Sequence, residues 1–336
     1  MPLWQLFGIG ITKLIMKYFI VSDIHSFYTE LKNALKVAGF NKRDKNHTLV
    51  VLGDLFDRGP DALAVYNYLM SIPKSRCILV RGNHELLYKE LLNRNYPESH
   101  DFHNHTVDTF CQIARTKQLD FDCSESYFEK EEYFHYFSVY RGWEDADENP
   151  AGDLSERQWK RVLEIVKEHP ITKLILIDKR WVNYFELDKY IMVHSWIPCA
   201  TKFTYGNANY PPEEIGYRDD WRNATQTEWN DATWGCPWAK QQRGWNKTGK
   251  TIVCGHWHVS DFFSHLKNKT YETGKAPIYY SKDLIGIDLG CYITPYGNYY
   301  HPQGIIVIED GICYDRFGDK LKEVKPVPHI ETVTIK

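Results

Sequence analysis

The stretch that decides the fold is "CILVRGNHELLYKELL", residues 77–92. Its first four residues are apolar and predict a short buried strand, and the leucines that follow recur at helical spacing. The polar segment "RGNHE" (81–85) therefore lies between the end of a strand and the start of a helix. Ligands bind at the carboxyl ends of strands in open α/β sheets. We therefore expect Asn83 and His84 to belong to a functional site.

The same pattern occurs twice earlier in the chain. The apolar run "YFIV" (18–21) is followed by "SDIHS" (22–26), and "TLVVL" (48–52) is followed by "GDLFDRGP" (53–60). Helical periodicity separates the three runs. This alternation of strand and helix predicts a parallel sheet that is covered on both faces.

Apolar runs return in the second half of the chain. They are "YIMV" (190–193), "TIVC" (251–254), "LIGI" (284–287), "IIVI" (305–308) and "ICY" (312–314). The first of these ends in His194, and the second ends in "GHWH" (255–258). The last two flank "EDG" and predict a hairpin. We expect all the polar motifs to meet at one edge of one sheet, where their Asp, Asn and His side chains surround one point.

Composition limits the class of protein. The 336 residues are 43% hydrophobic and 25% charged, which predicts one large domain or one domain with an insertion. The net charge of −3 gives no general attraction to nucleic acid or to an anionic membrane, so we expect neither as a partner. Eight scattered cysteines without a C-x-x-C pair predict reduced thiols and a cytoplasmic location.

The domain organisation follows from two breaks in the pattern. The apolar "MPLWQLFGIGITKLI" (1–15) lacks the basic start and cleavage site of a signal peptide, so we interpret it as an N-terminal extension. Between residues 96 and 185 the strand–helix rhythm stops, and one amphipathic helix is predicted at 155–169. We predict a single domain over 16–336 with a helical cap inserted at about 96–185.

The residue types at the strand ends indicate a metal centre. Each motif taken singly is more typical of a turn or a structural histidine, but five coincident motifs are not. Carboxylate, amide and imidazole ligands without thiolate suit Mn, Fe or Zn. Two such ions about 3.5–4 Å apart can clamp a substrate and acidify a water molecule. One carboxylate shared by both ions would complete the pair.

These motifs resemble those of a known family. "SDIHS", "GDLFDRG", "RGNHE", the later His and "GH" are similar to the calcineurin-like metallophosphoesterases, above all to the phosphoprotein phosphatase branch. That branch includes bacterial and phage serine/threonine phosphatases and diadenosine tetraphosphatases. The resemblance implies a four-layer α/β/β/α sandwich, two divalent ions with manganese expected, and a metal-bridging hydroxide as the nucleophile.

The resemblance also implies a role for each matching position. The implied metal ligands are Asp23 and His25 at the first ion, Asp54 at both ions, and Asn83, His194 and His256 at the second. His84 would be the general acid, and Asp57 would hold its imidazole. Arg58 and Arg81 would grip the phosphoryl oxygens, where guanidinium contacts are strong.

This chain departs from the family pattern in three places. Ser22 and Ser26 stand where glycines are usual, and we expect them to shift geometry rather than function. His258 is an additional histidine, and whether it binds the first metal or is only a neighbour stays open. A third phosphate-binding Arg is missing from "DATWGCPWAK" (231–240). The residues that could replace it are Lys240, Arg218 and Arg222.

Two further stretches have competing interpretations. "SHDFHNHT" (99–106) holds three histidines, and we interpret it as a loop at the substrate mouth rather than a third metal site. The aromatic stretch at 217–238 could stack on a nucleobase, but core packing is the commoner use of such residues.

We predict a phosphomonoesterase that acts on phosphoserine and phosphothreonine in proteins or on small phosphoesters. The second hypothesis is hydrolysis of dinucleoside polyphosphates, which the same core would support. A phosphodiesterase or nuclease is a third, favoured slightly by "GHWH" (255–258) and opposed by the lack of a basic stripe. A non-catalytic binding module would require lost ligands, and every expected ligand is present.

Overall fold

The computed structural model describes residues 15–94, 96–119, 156–202, 213–293 and 299–322. Most of the predicted N-terminal extension (1–14) and the middle of the predicted insertion (120–155) lie outside these residues. The cysteines of the described ranges form no disulfide with one another. Within the same ranges, the helices are too short or too polar to cross a membrane.

The strands of the described residues are short, with at most five residues each. In chain order they are β1 (Lys17–Val21), β2 (His47–Val51), β3 (Cys77–Val80), β4 (Trp181–Val182), β5 (Phe185–Glu186), β6 (Tyr190–Met192), β7 (Ala200–Lys202), β8 (Glu213–Gly216), β9 (Thr251–Cys254), β10 (Tyr279–Tyr280), β11 (Leu284–Gly286), β12 (Tyr292–Ile293), β13 (Tyr299–Tyr300), β14 (Ile305–Glu309) and β15 (Ile312–Asp315).

The α-helices connect and cover these strands. They are α1 (Tyr28–Val37), α2 (Ala62–Met70), α3 (Asn83–Asn93), α4 (Ser99–His103), α5 (Thr106–Ala114), α6 (Glu156–Glu168), α7 (Pro170–Ile177), α8 (Gln226–Ala232), α9 (Pro237–Gln242) and α10 (Val259–Lys267).

The first sheet has the order β15-β14-β1-β2-β3-β4. Strands β1 to β4 run parallel, as the strand–helix alternation predicts, and β14 pairs antiparallel with both β1 and β15. The predicted hairpin over "EDG" is therefore confirmed. Because β1, β2 and β3 are parallel, the segments that follow them all leave the sheet at the same edge.

The expectation that all the polar motifs meet at the edge of one sheet is wrong, because the fold has a second sheet, as the family resemblance implies. Strands β6 and β9, which precede His194 and "GHWH" (255–258), lie in a second sheet of order β10-β11-β9-β6-β5. Apolar runs such as those of β6 and β9 are buried on both faces. A run of that kind shows burial but not which sheet it joins. The site is therefore assembled from the strand ends of two sheets.

The two sheets pack face to face between two layers of helices. On β1, Ile20 packs in the core between the sheets, while Phe19 and Val21 pack in the core beneath the helices. A third core lies on the outer face of the second sheet, where Phe262 and Phe263 of α10 pack. Side chains alternate sides along a strand, so each strand feeds two cores. The arrangement confirms the predicted α/β/β/α sandwich.

The described part of the predicted insertion packs on the first sheet. Phe110 of α5 stacks on Trp159 of α6, with ring centroids 5.9 Å apart, and both belong to the core that also contains Phe19. At its end the chain returns to the sheet as β4, whose Val182 pairs with Val80 of β3. The helices of the insertion thus form part of the layer that covers the first sheet.

Candidate metal centre

The loops after β1 and β2 are tied to each other by backbone hydrogen bonds. The amide of Asp23 donates to the carbonyl of Gly53 at 3.2 Å, and the amide of His25 donates to the carbonyl of Asp54 at 2.9 Å. These bonds continue the parallel pairing of the strands into the loops. The two loops therefore present their side chains as one unit.

The backbone at the predicted site is strained. Positive φ angles, between 47° and 73°, occur at Asp23, His25, Asp54, Asp57, Arg58 and His256. Non-glycine residues seldom adopt this left-handed conformation, which costs free energy and persists only where the surroundings enforce it. Such strain is concentrated at functional sites in known proteins. All six residues belong to the set that the sequence analysis selected.

Asp54 lies at the centre of the site. Its Oδ2 is 3.7 Å from Nε2 of His25, and its Oδ1 is 3.5 Å from Nε2 of His194. Among the described residues, two groups have ligand atoms close enough to hold a metal ion: His25, Asp54 and His84, and Asp54, His194 and His256. Because Asp54 belongs to both groups, its two oxygens suit a carboxylate shared by two ions.

The hydrogen bonds around His194 fit a cation. Its Nδ1 donates to the carbonyl oxygen of Leu52 at 2.6 Å, which leaves Nε2 as the ring nitrogen that faces the site. Nε2 lies 2.8 Å from Oδ1 of Asn83 and 3.5 Å from Oδ1 of Asp54. A divalent ion could take these three atoms as ligands.

His25, which belongs to the group with Asp54 and His84, is oriented in the same way. Nδ1 of His25 lies 3.0 Å from the carbonyl oxygen of Phe56, so its Nε2 lone pair faces Asp54. Metal-binding histidines typically donate their other ring N–H to a carbonyl or carboxylate, which fixes the ring. The residues present therefore fit two divalent ions.

Electrostatics leads to the same conclusion. Burial lowers the pKa of His25 and of His256 well below the usual value, so both imidazoles are neutral and able to bind a metal. Burial also raises the pKa of Asp23 and of Asp54 well above the usual value. The raised pKa values mean that ionising the two buried carboxyl groups costs free energy. A bound divalent cation would offset this cost, because it stabilises the ionised carboxylates.

Asp23 is held against the second sheet. Its carboxylate accepts hydrogen bonds from the amide of His256, at 3.0 and 3.2 Å, and from the hydroxyl of Ser22. Ser22, which stands where the family usually has a glycine, thus forms a hydrogen bond with Asp23, a predicted metal ligand. Gly255 leaves room for this contact, because a Cβ there would lie 2.0 Å from Oδ2 of Asp23.

The predicted general acid is paired with its predicted partner. Nδ1 of His84 donates to Oδ2 of Asp57 at 2.7 Å, and both side chains are buried. Burial raises the pKa of Asp57 to about 6. Nη2 of Arg58 lies 3.3 Å from Nε2 of His84, so one predicted phosphate clamp reaches the acid. Arg81 is half-buried directly after β3, and its role as a clamp stays a prediction.

Comparison with known proteins identifies the family. The family model described as calcineurin-like phosphoesterase matches residues 16–260. The chain belongs to this family. The resemblance that the motifs predict is therefore confirmed, and the chain is a metallophosphoesterase by family.

Individual relatives of the phosphoesterase match less of the chain. The symmetrical bis(5'-nucleosyl)-tetraphosphatase of Buchnera aphidicola subsp. Schizaphis graminum is 46% identical over 71 residues, which are 21% of this chain and 25% of that protein. The alignment thus spans a quarter of the relative's length.

Two solved structures cover most of the phosphoesterase at low similarity. A protein serine/threonine phosphatase of Saccharomyces cerevisiae is 13% identical with a TM-score of 0.42, over 94% of this chain and 82% of that one. The cold-active protein-tyrosine phosphatase of a psychrophilic Shewanella species is 13% identical with a TM-score of 0.40, over 91% and 80%.

Several open points of the sequence analysis have a structural context. His258 is half-buried at the start of α10 and belongs to neither metal-binding group of the described residues, so its role stays open.

Each candidate for the third phosphate-binding cation is already ion-paired. The pairs are Lys240 with Glu214, Arg218 with Asp220 and Glu228, and Arg222 with Glu186.

The histidine-rich stretch at 99–106 is helical rather than a loop, because α4 occupies most of it and α5 begins at its end. It belongs to neither metal-binding group found among the described residues. Its last residue, Thr106, instead donates a hydrogen bond to Oδ2 of Asp57 at 3.0 Å. The stretch therefore reaches the site through Thr106.

Glu85 is a site residue to which the sequence analysis gave no role. Its carboxylate accepts the amides of Gly82 at 2.8 Å, Leu55 at 2.9 Å and Asp54 at 3.1 Å. It therefore joins the end of β3 to the loop that carries Asp54. The signal was present in the motif, because an acidic residue at the third helical position typically caps the helix start.

We expect Glu85→Gln to destabilise the phosphoesterase by about 2–4 kcal/mol, because an amide group has one acceptor oxygen for three buried N–H donors. Denaturant-induced unfolding measures this change. Glu90→Gln, at an exposed position on the same helix, is the matched control and should change stability by less than about 0.5 kcal/mol. Equal stability of the two variants would show that the three bonds are not needed.

Proposed function

We propose that the protein is a metal-dependent phosphomonoesterase that removes phosphate from serine and threonine residues of proteins. The observation that carries this proposal is the buried His84–Asp57 pair at the metal centre, where His84 also belongs to one of the two metal-binding groups. A buried histidine held by a carboxylate is the usual form of a general acid. Its position beside the metal ligands suits protonation of a leaving oxygen.

Each group of the site would have its own role in the reaction. Two divalent ions, when bound, would supply Lewis-acid stabilisation of the phosphoryl oxygens and acidify a water molecule. Asp54 would orient both ions. Arg58 would bind a phosphoryl oxygen by its guanidinium and hold the phosphorus in reach of His84. In the structure Nε2 of His84 faces the Arg58 guanidinium, and burial lowers the pKa of His84 well below its usual value. The imidazole would therefore have to take up a proton from solvent at Nε2 before it gives that proton to the leaving oxygen, and Asp57 would stabilise the imidazolium.

The leaving group explains why the acid favours alkyl phosphoesters. The alkoxide of serine or threonine is a far stronger base than phenolate or phosphate, so it leaves only when protonated. A phosphate leaving group, as in a dinucleoside polyphosphate, needs this help much less. A buried and oriented acid therefore contributes most to the hydrolysis of phosphoserine and phosphothreonine.

One observation favours the second candidate, a dinucleoside polyphosphate hydrolase. In the aromatic stretch at 217–238, Trp221 and Trp229 are buried in the core, as core packing predicts, but Trp234 is 50% exposed. Its ring centroid is 6.0 Å from that of His256. An exposed indole beside the metal ligands could stack on a nucleobase. The partial match to symmetrical bis(5'-nucleosyl)-tetraphosphatases supports the same candidate.

If the second candidate is right, Trp234→Ala should lower kcat/KM for diadenosine tetraphosphate by about 5–100-fold, the loss of one base-stacking contact. The kcat/KM for a phosphothreonine peptide should stay within about twofold. Trp234→Phe keeps an aromatic surface and is the matched control. An equal fall for both substrates would mean that Trp234 supports the fold of the site rather than a base.

The experiment that decides between the candidates compares kcat/KM for a phosphothreonine peptide and for diadenosine tetraphosphate with manganese-loaded enzyme. We expect the peptide to be preferred. A preference for the dinucleotide would replace the proposed function with the second candidate. Loss of both activities in Asp54→Asn would show that neither comes from a contaminating enzyme.

We also propose that manganese is the native ion and that the protein works in the cytoplasm. Oxygen and nitrogen ligands without thiolate support manganese, although iron and zinc accept them too. Metal analysis of protein purified from its own cells tests the ion, and iron or zinc in stoichiometric amount would contradict manganese. Cell fractionation tests the location.

A further inference from the structure

Helix α5 of the insertion reaches the general-acid pair directly. Oγ1 of Thr109 donates to Oδ1 of Asp57 at 2.7 Å, and Oγ1 of Thr106 donates to Oδ2 of Asp57 at 3.0 Å. Oδ2 of Asp57 is the same oxygen that accepts Nδ1–H of His84. Oδ2 therefore accepts from both Thr106 and His84, while Oδ1 accepts from Thr109.

Thr109 also binds the backbone of the residue whose side chain it holds. The amide of Asp57 donates to Oγ1 of Thr109 at 3.0 Å, so one hydroxyl accepts from the backbone and donates to the carboxylate. Asp57 has a φ of 73°, a strained conformation that needs support from its surroundings. Thr109 supplies that support because it binds both the backbone amide and the side-chain carboxylate of Asp57.

A third residue on the same face of α5 extends the contact. Nε2 of Gln112 donates to the carbonyl of Gly59 at 2.9 Å, and Oε1 of Gln112 accepts the amide of Ala62 at 2.9 Å. Residues three apart lie on one helix face, so Thr106, Thr109 and Gln112 form a single row against the loop after β2. This row fixes the loop over several residues.

The position of α5 is itself fixed by packing. Phe110 of α5 is buried between Tyr88 of α3, at 4.6 Å between ring centroids, and Trp159 of α6, at 5.9 Å. Close-packed cores resist displacement. The row of polar side chains on the neighbouring face of the helix is therefore held at a defined distance from the acid.

We propose that the insertion serves the reaction through Thr106 and Thr109, which are positioning residues that orient Asp57 and, through it, the imidazole of His84. This inference rests on the proposed function, because it assigns the insertion a part in protonating the leaving group. Neither threonine touches the substrate. Their removal should therefore affect the acid step and leave metal binding in place.

The test uses Thr109→Val and Thr106→Val, which keep the side-chain shape and remove the hydroxyl. Each enzyme is assayed on a phosphothreonine peptide, whose leaving group needs a proton, and on 4-nitrophenyl phosphate, whose leaving group does not. We expect kcat for the peptide to fall by about 10–100-fold in Thr109→Val, a part of the acid's contribution. The kcat for 4-nitrophenyl phosphate should fall less than about threefold.

Thr172→Val is the matched control. Thr172 is as deeply buried, and its hydroxyl bonds to the hydroxyl of Tyr88 at 2.7 Å, but it does not contact Asp57. We expect this variant to change both activities by the same factor. Thr109→Ser restores the hydroxyl and should restore the wild-type ratio of the two activities. An equal fall on both substrates in Thr109→Val would overturn the proposal.

A second measurement separates this proposal from the proposed function. In zinc-loaded, ¹⁵N-labelled protein, the Nδ1–H of His84 is the imidazole signal that disappears in His84→Asn. The signal should shift or broaden in Thr109→Val and stay unchanged in Thr172→Val. If the wild type hydrolyses neither ester, the proposed function fails, while this signal still decides the positioning role. An unchanged signal in Thr109→Val would exclude it.

Discussion

His84→Asn is expected to lower kcat for a phosphothreonine peptide by about 10²–10⁴-fold, the contribution of a general acid. Asparagine can still accept or donate a hydrogen bond, but it cannot transfer a proton. The loss should be much smaller for 4-nitrophenyl phosphate, because nitrophenolate leaves without protonation. Rates on both esters at saturating substrate measure this difference.

Metal content should stay close to that of the wild type, because the two ions retain their carboxylate, amide and imidazole ligands. His265→Asn, at an exposed histidine of α10, controls for the substitution itself and should leave both rates unchanged. Wild-type turnover of the peptide by His84→Asn would contradict the acid role. Loss of one ion would instead make His84 a ligand of the group that it forms with His25 and Asp54.

Asp54→Asn is expected to weaken both metal sites together, because Asp54 belongs to both groups of ligands. Replacing residues that only support a ligand lowers metal affinity by about 10–100-fold, so removal of the shared charge should cost on the order of 100-fold or more. The Lewis-acid contribution of several kcal/mol would be lost with the ions, and kcat should fall by at least ~10³-fold.

Metal analysis after gel filtration measures this effect, and two ions retained by Asp54→Asn would contradict the bridging role. Asp57→Asn is the matched comparison, since Asp57 is a buried carboxylate on the same loop with the same left-handed backbone. It should keep both ions and lose activity mainly on the peptide. The two variants thus separate metal binding from acid positioning within four residues of chain.

Much of the site could be predicted from the sequence because each motif is local. Asn83 and His84 lie three and four residues beyond the end of β3, so the strand brings them to the edge of the sheet. The same holds for Asp54 after β2 and for His194 after β6. The structure brings Asn83, His84, Asp54 and His194 together with His25 and His256, as the motifs predict.

The sequence could not show which sheet each strand joins. The runs that form β6 and β9 are as apolar as those of β1 and β2, and burial on both faces gives the same pattern in either sheet. The sequence also could not predict that Trp234 is exposed, for a similar reason. An indole in an aromatic stretch looks the same whether it packs in the core, like Trp229, or faces solvent.

The sequence by itself determined the strand–helix order, the ligand types and the residues after each strand, because these depend on neighbours along the chain. Only the tertiary structure decided that Glu85 joins two strand ends and that Thr109 holds Asp57. Asp57 and Thr109 are 52 residues apart, and their contact depends on how α5 packs against the first core. The hydrophobic periodicity of the sequence cannot predict such a contact between distant residues, since the contact depends on how side chains from several elements pack together.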